Sequence, residues 1–335
     1  MKKRIFSIVL LTLSFMGNHS CEIWIDDLLD PFYFYYVPDD FTTIQEAIDF
    51  AETGDTVVIE AGVYSPSENG EYFPLELKSG VSLKGSGPNN TILDAENSGP
   101  IFDLFNLSGI TIEDLTLRNG WANQGGALSI VDSTVTLKNL LIHHNRADLR
   151  GSAIYLEDAD STVIKNNLIY NNYQTVSGGG NPAQVEAIAS NFSFMNNTVA
   201  NGDGDGLKLM GLSTITVLNN IFYNNGNTTI GVGVNDLSST QNSTITYNLF
   251  YLNDMAPLYL QGANQTATDA NNFSSADSVY ENLAGDPFLV NSSAGDFRLL
   301  SGSIAIDAGD PATHFNDTNG SRNDLGAYGG PDTLN

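Results

Sequence analysis

The hydrophobic pattern changes period once along the chain. Ile44, Ala47, Ile48 and Ala51 recur at helical spacing, which predicts one short amphipathic helix. Thr42 to Gln45 has the form of a capping box, in which Thr accepts a backbone N–H and Gln reaches back. Gly54 then stops the helix. From Thr56 onward the chain turns to short alternating β-branched runs: Thr56-Val57-Val58-Ile59, Val81-Ser82-Leu83-Lys84-Gly85 and Ile110-Thr111-Ile112. No helix-length pattern falls between them, which excludes βαβ units and leucine-rich or ankyrin repeats. The aromatic run Phe32 to Tyr36 has two readings: it opens the first strand, or it packs beneath the helix.

The runs recur. Leu140, Asn167, Asn197, Asn220 and Asn248 occupy equivalent positions, spaced by 27, 30, 23 and 28 residues. A period in this range, built from strands alone, signals a solenoid. The expected fold is all-β: a single-stranded right-handed parallel β-helix with a short N-terminal capping helix. The hand follows from the crossover rule for parallel strands, and the helix covers the open end of the first repeat. The recurring asparagines have a structural reason. Asn tolerates the left-handed backbone needed at a turn. Stacked coils lie about 4.8 Å apart, so buried amides can satisfy one another up and down the stack.

The first 21 residues read as an address. Lys2-Lys3-Arg4 precedes an apolar run from Ile5 to Met16, the form of a secretory signal. The run is too short for a membrane span, which needs about 20 residues. The single cysteine follows, in Gly17-Asn18-His19-Ser20-Cys21. This stretch resembles a bacterial lipoprotein signal, in which Cys21 becomes the lipidated first residue; Asn18 departs from the usual branched apolar residue. The alternative is an ordinary signal peptide with an incidental cysteine. The expected segments are 1–21 signal, 22–55 N-terminal segment and capping helix, 56–285 β-helix, and 286–335 closing coil and C-terminal loop. The expected location is the outer membrane, through a lipid, or the medium.

Charge narrows the partners. The chain has 13 basic residues against 39 acidic ones. Removal of Lys2, Lys3 and Arg4 with the signal leaves a net charge of −29. Such a surface repels phosphate backbones, so nucleic acid is not an expected partner. Membrane contact is expected only through the N-terminal lipid, and the chain is expected to be a monomer. One cysteine permits no intramolecular disulfide and no cysteine-type zinc site. The histidines His19, His143, His144 and His314 have no metal-ligand spacing, and strand alternation would point His143 and His144 to opposite faces.

Two stretches carry a family resemblance. Val37-Pro38-Asp39-Asp40-Phe41-Thr42-Thr43-Ile44-Gln45-Glu46-Ala47-Ile48, continued by Gly54-Asp55-Thr56-Val57-Val58 and Gly62-Val63-Tyr64, resembles the opening of the pectin-lyase-like β-helix superfamily, as does Leu83-Lys84-Gly85-Ser86-Gly87-Pro88. Gly285-Asp286-Pro287, Ala305-Ile306-Asp307-Ala308-Gly309-Asp310 and Asp324-Leu325-Gly326-Ala327-Tyr328 resemble the closing coil of bacterial secreted β-helix repeat proteins. The resemblance covers nearly all of the chain after the signal. It implies an extracellular polysaccharide as partner and leaves the activity open, because fold does not imply function. The superfamily's lyases use a calcium-bridged uronate and an Arg or Lys base. No complete catalytic motif of theirs can be matched here.

Alternation assigns one candidate face. Leu128 and Ile130, Ile154 and Leu156, Leu207 and Leu209, Val232 and Val234, and Leu258 and Leu260 are expected to point inward. The outward row is then Ser129, Tyr155, a residue near Ala187, Lys208, Gly233 and Tyr259. Flanking turns add Arg150, Glu157, Glu186, Asp203 and Asp205. On this face Tyr155, Tyr259 and Arg150 are candidates for sugar contact, and Lys208 is the candidate base. Glu186, Asp203 and Asp205 are candidate ligands for a calcium ion that would bridge an acidic sugar. A second calcium candidate lies in the closing coil, at Asp310, Asp317, Asn319 and Asp324. Two functions follow: a polysaccharide-active enzyme, with a calcium-dependent lyase ahead of a glycoside hydrolase, or a non-catalytic glycan-binding or adhesion protein that uses the solenoid as a scaffold.

Overall fold

The computed structural model describes residues 32–175, 182–211, 213–226, 231–237, 243–260, 262–267 and 278–334. The signal segment and Cys21 lie outside the described residues. Strand Phe34–Val37 pairs in parallel with Thr56–Ile59, so the aromatic run opens the solenoid. Helix Ile44–Phe50 lies between them and buries Ile44, Ala47 and Ile48. Its capping box sits one residue later than the pattern suggested. Thr43 is the N-cap and accepts the Glu46 N–H at 3.2 Å, and a Glu46 oxygen accepts the Thr43 N–H at 3.3 Å. Glutamate at the third helical position outcompetes Gln45, whose amide bonds Asp49 instead.

The chain then winds as a right-handed parallel β-helix. Among the described residues its strands form three long sheets of ten, nine and eight strands, and a three-stranded sheet at one corner. Pairing is parallel between successive coils. The exception within the long sheets is the hairpin of Ala256–Leu260 with Ala263–Gln265 at the end of the eight-stranded sheet. Every residue assigned inward from Leu128 to Leu260 is at most 2% exposed. Phe194, Phe222 and Phe250 stack inside on successive coils, with centroids 6.3 and 5.2 Å apart.

The paired asparagines divide the work at the corner. Asn139, Asn166, Asn196 and Asn219 take left-handed backbone angles, with φ between 49° and 60°. The residue that follows each turns inward. Asn167, Asn197, Asn220, Asn248 and Asn282 form a continuous amide ladder with steps of 2.9–3.2 Å. A second ladder, not foreseen, runs Asn145–Asn172–Gln184–Asn225–Asn253 with steps of 2.9–3.0 Å. A buried amide left without partners costs about 1–3 kcal/mol, and stacking removes that cost at every coil.

The last segment does not add a coil. After the hairpin Leu289–Asn291 with Asp296–Leu299, the chain folds back along the outside of the nine-stranded sheet. Phe297, Ala327 and Leu334 pack on Leu168 and Ala200. Asn166 donates to the carbonyls of Ala327 and Gly329 at 3.2 and 2.7 Å. Asp332 pairs with Lys138 at 2.8 Å and Lys165 at 2.7 Å. The left-handed asparagines thus also serve as docking points for this strap.

Candidate functional site

Pairing in the eight-stranded sheet sets one outward row: Asp103, Ser129, Tyr155, Glu186, Lys208, Asn235 and Tyr259, one residue per coil. Ser129, Tyr155, Lys208 and Tyr259 stand where alternation placed them. Two positions differ. The residue near Ala187 that faces outward is Glu186, and Asn235 replaces Gly233. Glu186 therefore sits in the middle of the row and not in a turn beside it. A parallel second row carries Phe105, Val131, Glu157, Ile188 and Met210, and is apolar except for Glu157.

The centre of the polar row is an enclosed charged cluster. Glu186 is 2% exposed, Asn235 6% and Lys208 7%. Lys208 Nζ lies 3.6 Å from Glu186 Oε1, and Arg150 Nη1 approaches the same oxygen at 3.4 Å. Arg150 reaches in from the end of strand Arg146–Arg150 and keeps about a third of its side chain in solvent. Asp205 begins strand Asp205–Met210 and is fully buried. Its Oδ1 accepts the Val232 N–H at 2.9 Å, and its Oδ2 accepts from Asn235 Nδ2 at 2.6 Å. Burial pushes its carboxyl up to about 6, against the opposing effects of those bonds and of Lys208. Among the described residues, Asn235 Oδ1 is buried without a hydrogen-bond partner.

Several expected roles change with this geometry. Tyr155 lies in the row but is only 2% exposed, and its hydroxyl donates to Glu157 at 2.9 Å. A ring that enclosed offers no face to a sugar. Burial and Glu157 raise its hydroxyl pKa well above the ordinary value. Tyr259 is half-buried. Asp203 lies half-buried in the turn before Asp205. Among the described residues, Glu186, Asp203 and Asp205 do not bring three carboxylate oxygens within 4.8 Å of one another. Glu186 already faces two cations, and both Asp205 oxygens accept hydrogen bonds. A hard cation needs several convergent oxygens facing inward.

The strap also rearranges its candidates. Asp307, Asp317 and Asp324 place carboxylate oxygens within 4.8 Å of one another. Asp310 is not in that carboxylate group. Asp310 Oδ1 accepts the Ala312 N–H at 2.8 Å, and Asn319 Oδ1 accepts from Ser321 N and Oγ at 2.8 and 2.6 Å. Asp317 takes the N–H groups of Asp324 and Gly330 at 3.1 and 2.6 Å. Burial, and then the charges of Asp317 and Asp307, raise the Asp324 carboxyl.

The histidines differ as well. His143 and His144 do not point apart, because His144 takes a φ of 56° and breaks the alternation. Their Nδ1 atoms lie 2.7 Å apart, and His143 packs on Tyr170 with centroids 4.9 Å apart. Burial, and then His144 and Arg118, bring the His143 imidazole down to about 4.

The chain belongs to the right-handed β-helix family. The family described as "Right handed beta helix region" matches residues 79–250, about half of the chain. No curated protein matches. Solved structures similar to it include the pectate lyase Pel9A, at 15% identity and a TM-score of 0.48, covering 88% of this chain and 96% of that one. An alginate lyase from Paenibacillus sp. str. FPU-7 is 16% identical, with a TM-score of 0.38 over 72% of this chain and 95% of that one. The A-module of the mannuronan C-5 epimerase AlgE4 from Azotobacter vinelandii is 15% identical, with a TM-score of 0.31 over 72% and 90%. At these values the likenesses assign no substrate and no residue roles.

Proposed function

We propose that this chain is a carbohydrate-active β-helix protein that engages an extracellular polysaccharide at the margin of the Glu186–Lys208 cluster. One observation carries the reading: a solenoid with water on its outer side nevertheless encloses Glu186, Lys208, Asp205 and Asn235 there, on three consecutive coils. Enclosing charges costs several kcal/mol per ion unless they are paired, and apolar residues would fill such a row at less cost. Enclosed charges with a shifted carboxyl are the form that functional clusters take. Arg150 and Tyr259 are the members that keep solvent contact, so they are the points of approach. The Arg150 guanidinium suits a sugar carboxylate, and the Tyr259 ring suits a pyranose face.

The chemistry rests on Lys208 and Asp205. In a lyase, the Lys208 amine takes the proton next to a uronate carboxyl while Arg150 offsets the charge that gathers there; the C4–O4 glycosidic bond then breaks as the C4–C5 double bond forms, and the leaving oxygen takes a proton from water. The pairing of Lys208 with Glu186 opposes this step, because it already engages the amine. That contact favours a second reading, in which the cluster binds glycan without cutting it. Asp205 titrates near the pH at which general acids and bases operate. Calcium belongs in this proposal at Asp307, Asp317 and Asp324, where it would brace the strap, and not at the cluster. Export through residues 1–21 and a lipid at Cys21 complete the proposal, supported by Lys2-Lys3-Arg4 and the apolar run after it.

The test is a panel of acidic and neutral polysaccharides, with and without calcium, read for unsaturated products and for retention on the glycan. Unsaturated products that disappear in Lys208→Ala, with retention kept, support the lyase. Retention without products supports the binder. Neither products nor retention on any glycan would reject the proposal.

A further inference from the structure

The three-stranded sheet at the corner before the eight-stranded sheet carries an aromatic strip outside the cluster. It is formed by Trp121–Gln124, Arg146–Arg150 and Tyr173–Gln174. Their register sets Trp121, Arg146 and Tyr173 side by side, one per coil. Trp121 is 41% exposed and Tyr173 39%. Two coil steps separate the two residues, so their backbones stand about 10 Å apart along the axis.

Trp121 is exposed but held. The Arg146 guanidinium carbon lies 4.7 Å from the centre of its ring. Its indole N–H donates to Asp148 Oδ2 at 3.2 Å. Asp148 in turn accepts from the Thr175 hydroxyl and lies 3.6 Å from Arg146. An isolated exposed aromatic is ordinary on a protein surface. Two in register, one of them fixed on its guanidinium side and at its polar tip, are a pre-organised surface, and pre-organisation lowers the ordering cost of binding. Arg146 is matched by Asp148, so the strip recognises a ring face and not a charge.

We infer that Trp121, Arg146 and Tyr173 form a sugar-stacking subsite that extends the glycan path from the Glu186–Lys208 cluster. The occupant is a pyranose ring of the same chain. Continuity argues for it: strand Arg146–Arg150 places Arg146 beneath Trp121 at one end and Arg150 against Glu186 at the other. A glycan that meets Arg150 is therefore led along the strip. This inference rests on the function proposed above.

Fluorescence tests the strip separately from the cluster. The chain has two tryptophans, Trp24 and Trp121, so Trp24→Phe leaves Trp121 as the sole reporter. That protein is titrated with oligogalacturonides, alginate oligosaccharides and xylo-oligosaccharides. The expected result is saturable change in Trp121 emission with at least one series. Trp121→Ala should weaken retention at least tenfold, and Trp121→Phe, which keeps a ring, should retain most of it. Retention by wild type that is unchanged in Trp121→Ala, with no emission change, overturns the strip and leaves the cluster standing. Retention of no glycan overturns both.

Discussion

Glu186 and Lys208 face each other across neighbouring coils, with Lys208 Nζ 3.6 Å from Glu186 Oε1 and both side chains enclosed. The pair is not symmetric, because Arg150 approaches the same oxygen at 3.4 Å. Removing Lys208 leaves Glu186 with one cation still beside it. Removing the Glu186 charge takes from two cations the carboxylate oxygen they share. Glu186→Gln should therefore destabilise the fold more than Lys208→Met, with the larger loss on the order of 3 kcal/mol. Urea unfolding of the two variants gives the order directly, and the reverse order would show that Arg150 does not share the charge.

Asp205 predicts a pH dependence of known sign. Its carboxyl titrates near 3.8 when unfolded and at about 6 in the fold. The folded state holds the proton more tightly, so the contribution is fully present below 3.8 and is lost as pH rises through 6. The window is on the order of 3 kcal/mol wide, from about two pKa units. Asp205→Asn cannot titrate. The stability difference between wild type and Asp205→Asn should therefore shift against wild type from pH 4 to pH 7. Parallel curves across that range would remove Asp205 as the titrating group.

Calcium should act at the strap. Asp307 is exposed, and its carboxylate stands within 4.8 Å of those of Asp317 and Asp324. Wild type should melt higher in millimolar calcium than in chelator, because a ligand bound only by the fold adds stability by mass action. Asp307→Asn should lose that shift. Asp317→Ala is less informative, since Asp317 also holds the N–H groups of Asp324 and Gly330. Equal melting temperatures for wild type in calcium and in chelator would exclude the site.

Much of this architecture was legible in the sequence, because a buried amide and a left-handed turn leave a residue signature. The Asn pairs show both at once. Register was harder. Coils of 23 to 30 residues differ in their turns, so an alignment slips without changing the pattern of apolar residues. A slip of two kept Gly233 on the correct face but hid Asn235. Near Ala187 the pattern left the outward residue unassigned and set Glu186 in a flanking turn, because a shift of one there exchanges inside for outside. Enclosure was not legible at all, since alternation gives the direction of Tyr155 but not what lies over it. The Trp121 strip was missed because its strands lie in a turn, where no periodicity marks them. The return of the strap depends on contacts such as Asn166 with Gly329, 163 residues apart, which no local pattern encodes.

The central claim is that glycan is met at the solvent-facing margin of the cluster. Arg150→Ala combined with Tyr259→Ala tests it most directly, because both residues keep solvent contact while Glu186, Lys208 and Asp205 stay in place. Retention on the glycan that wild type binds best is measured for both proteins, with the urea midpoint checked alongside. Retention weakened at least tenfold, with the fold intact, is the result this account predicts. A double variant that binds as tightly as wild type would contradict it.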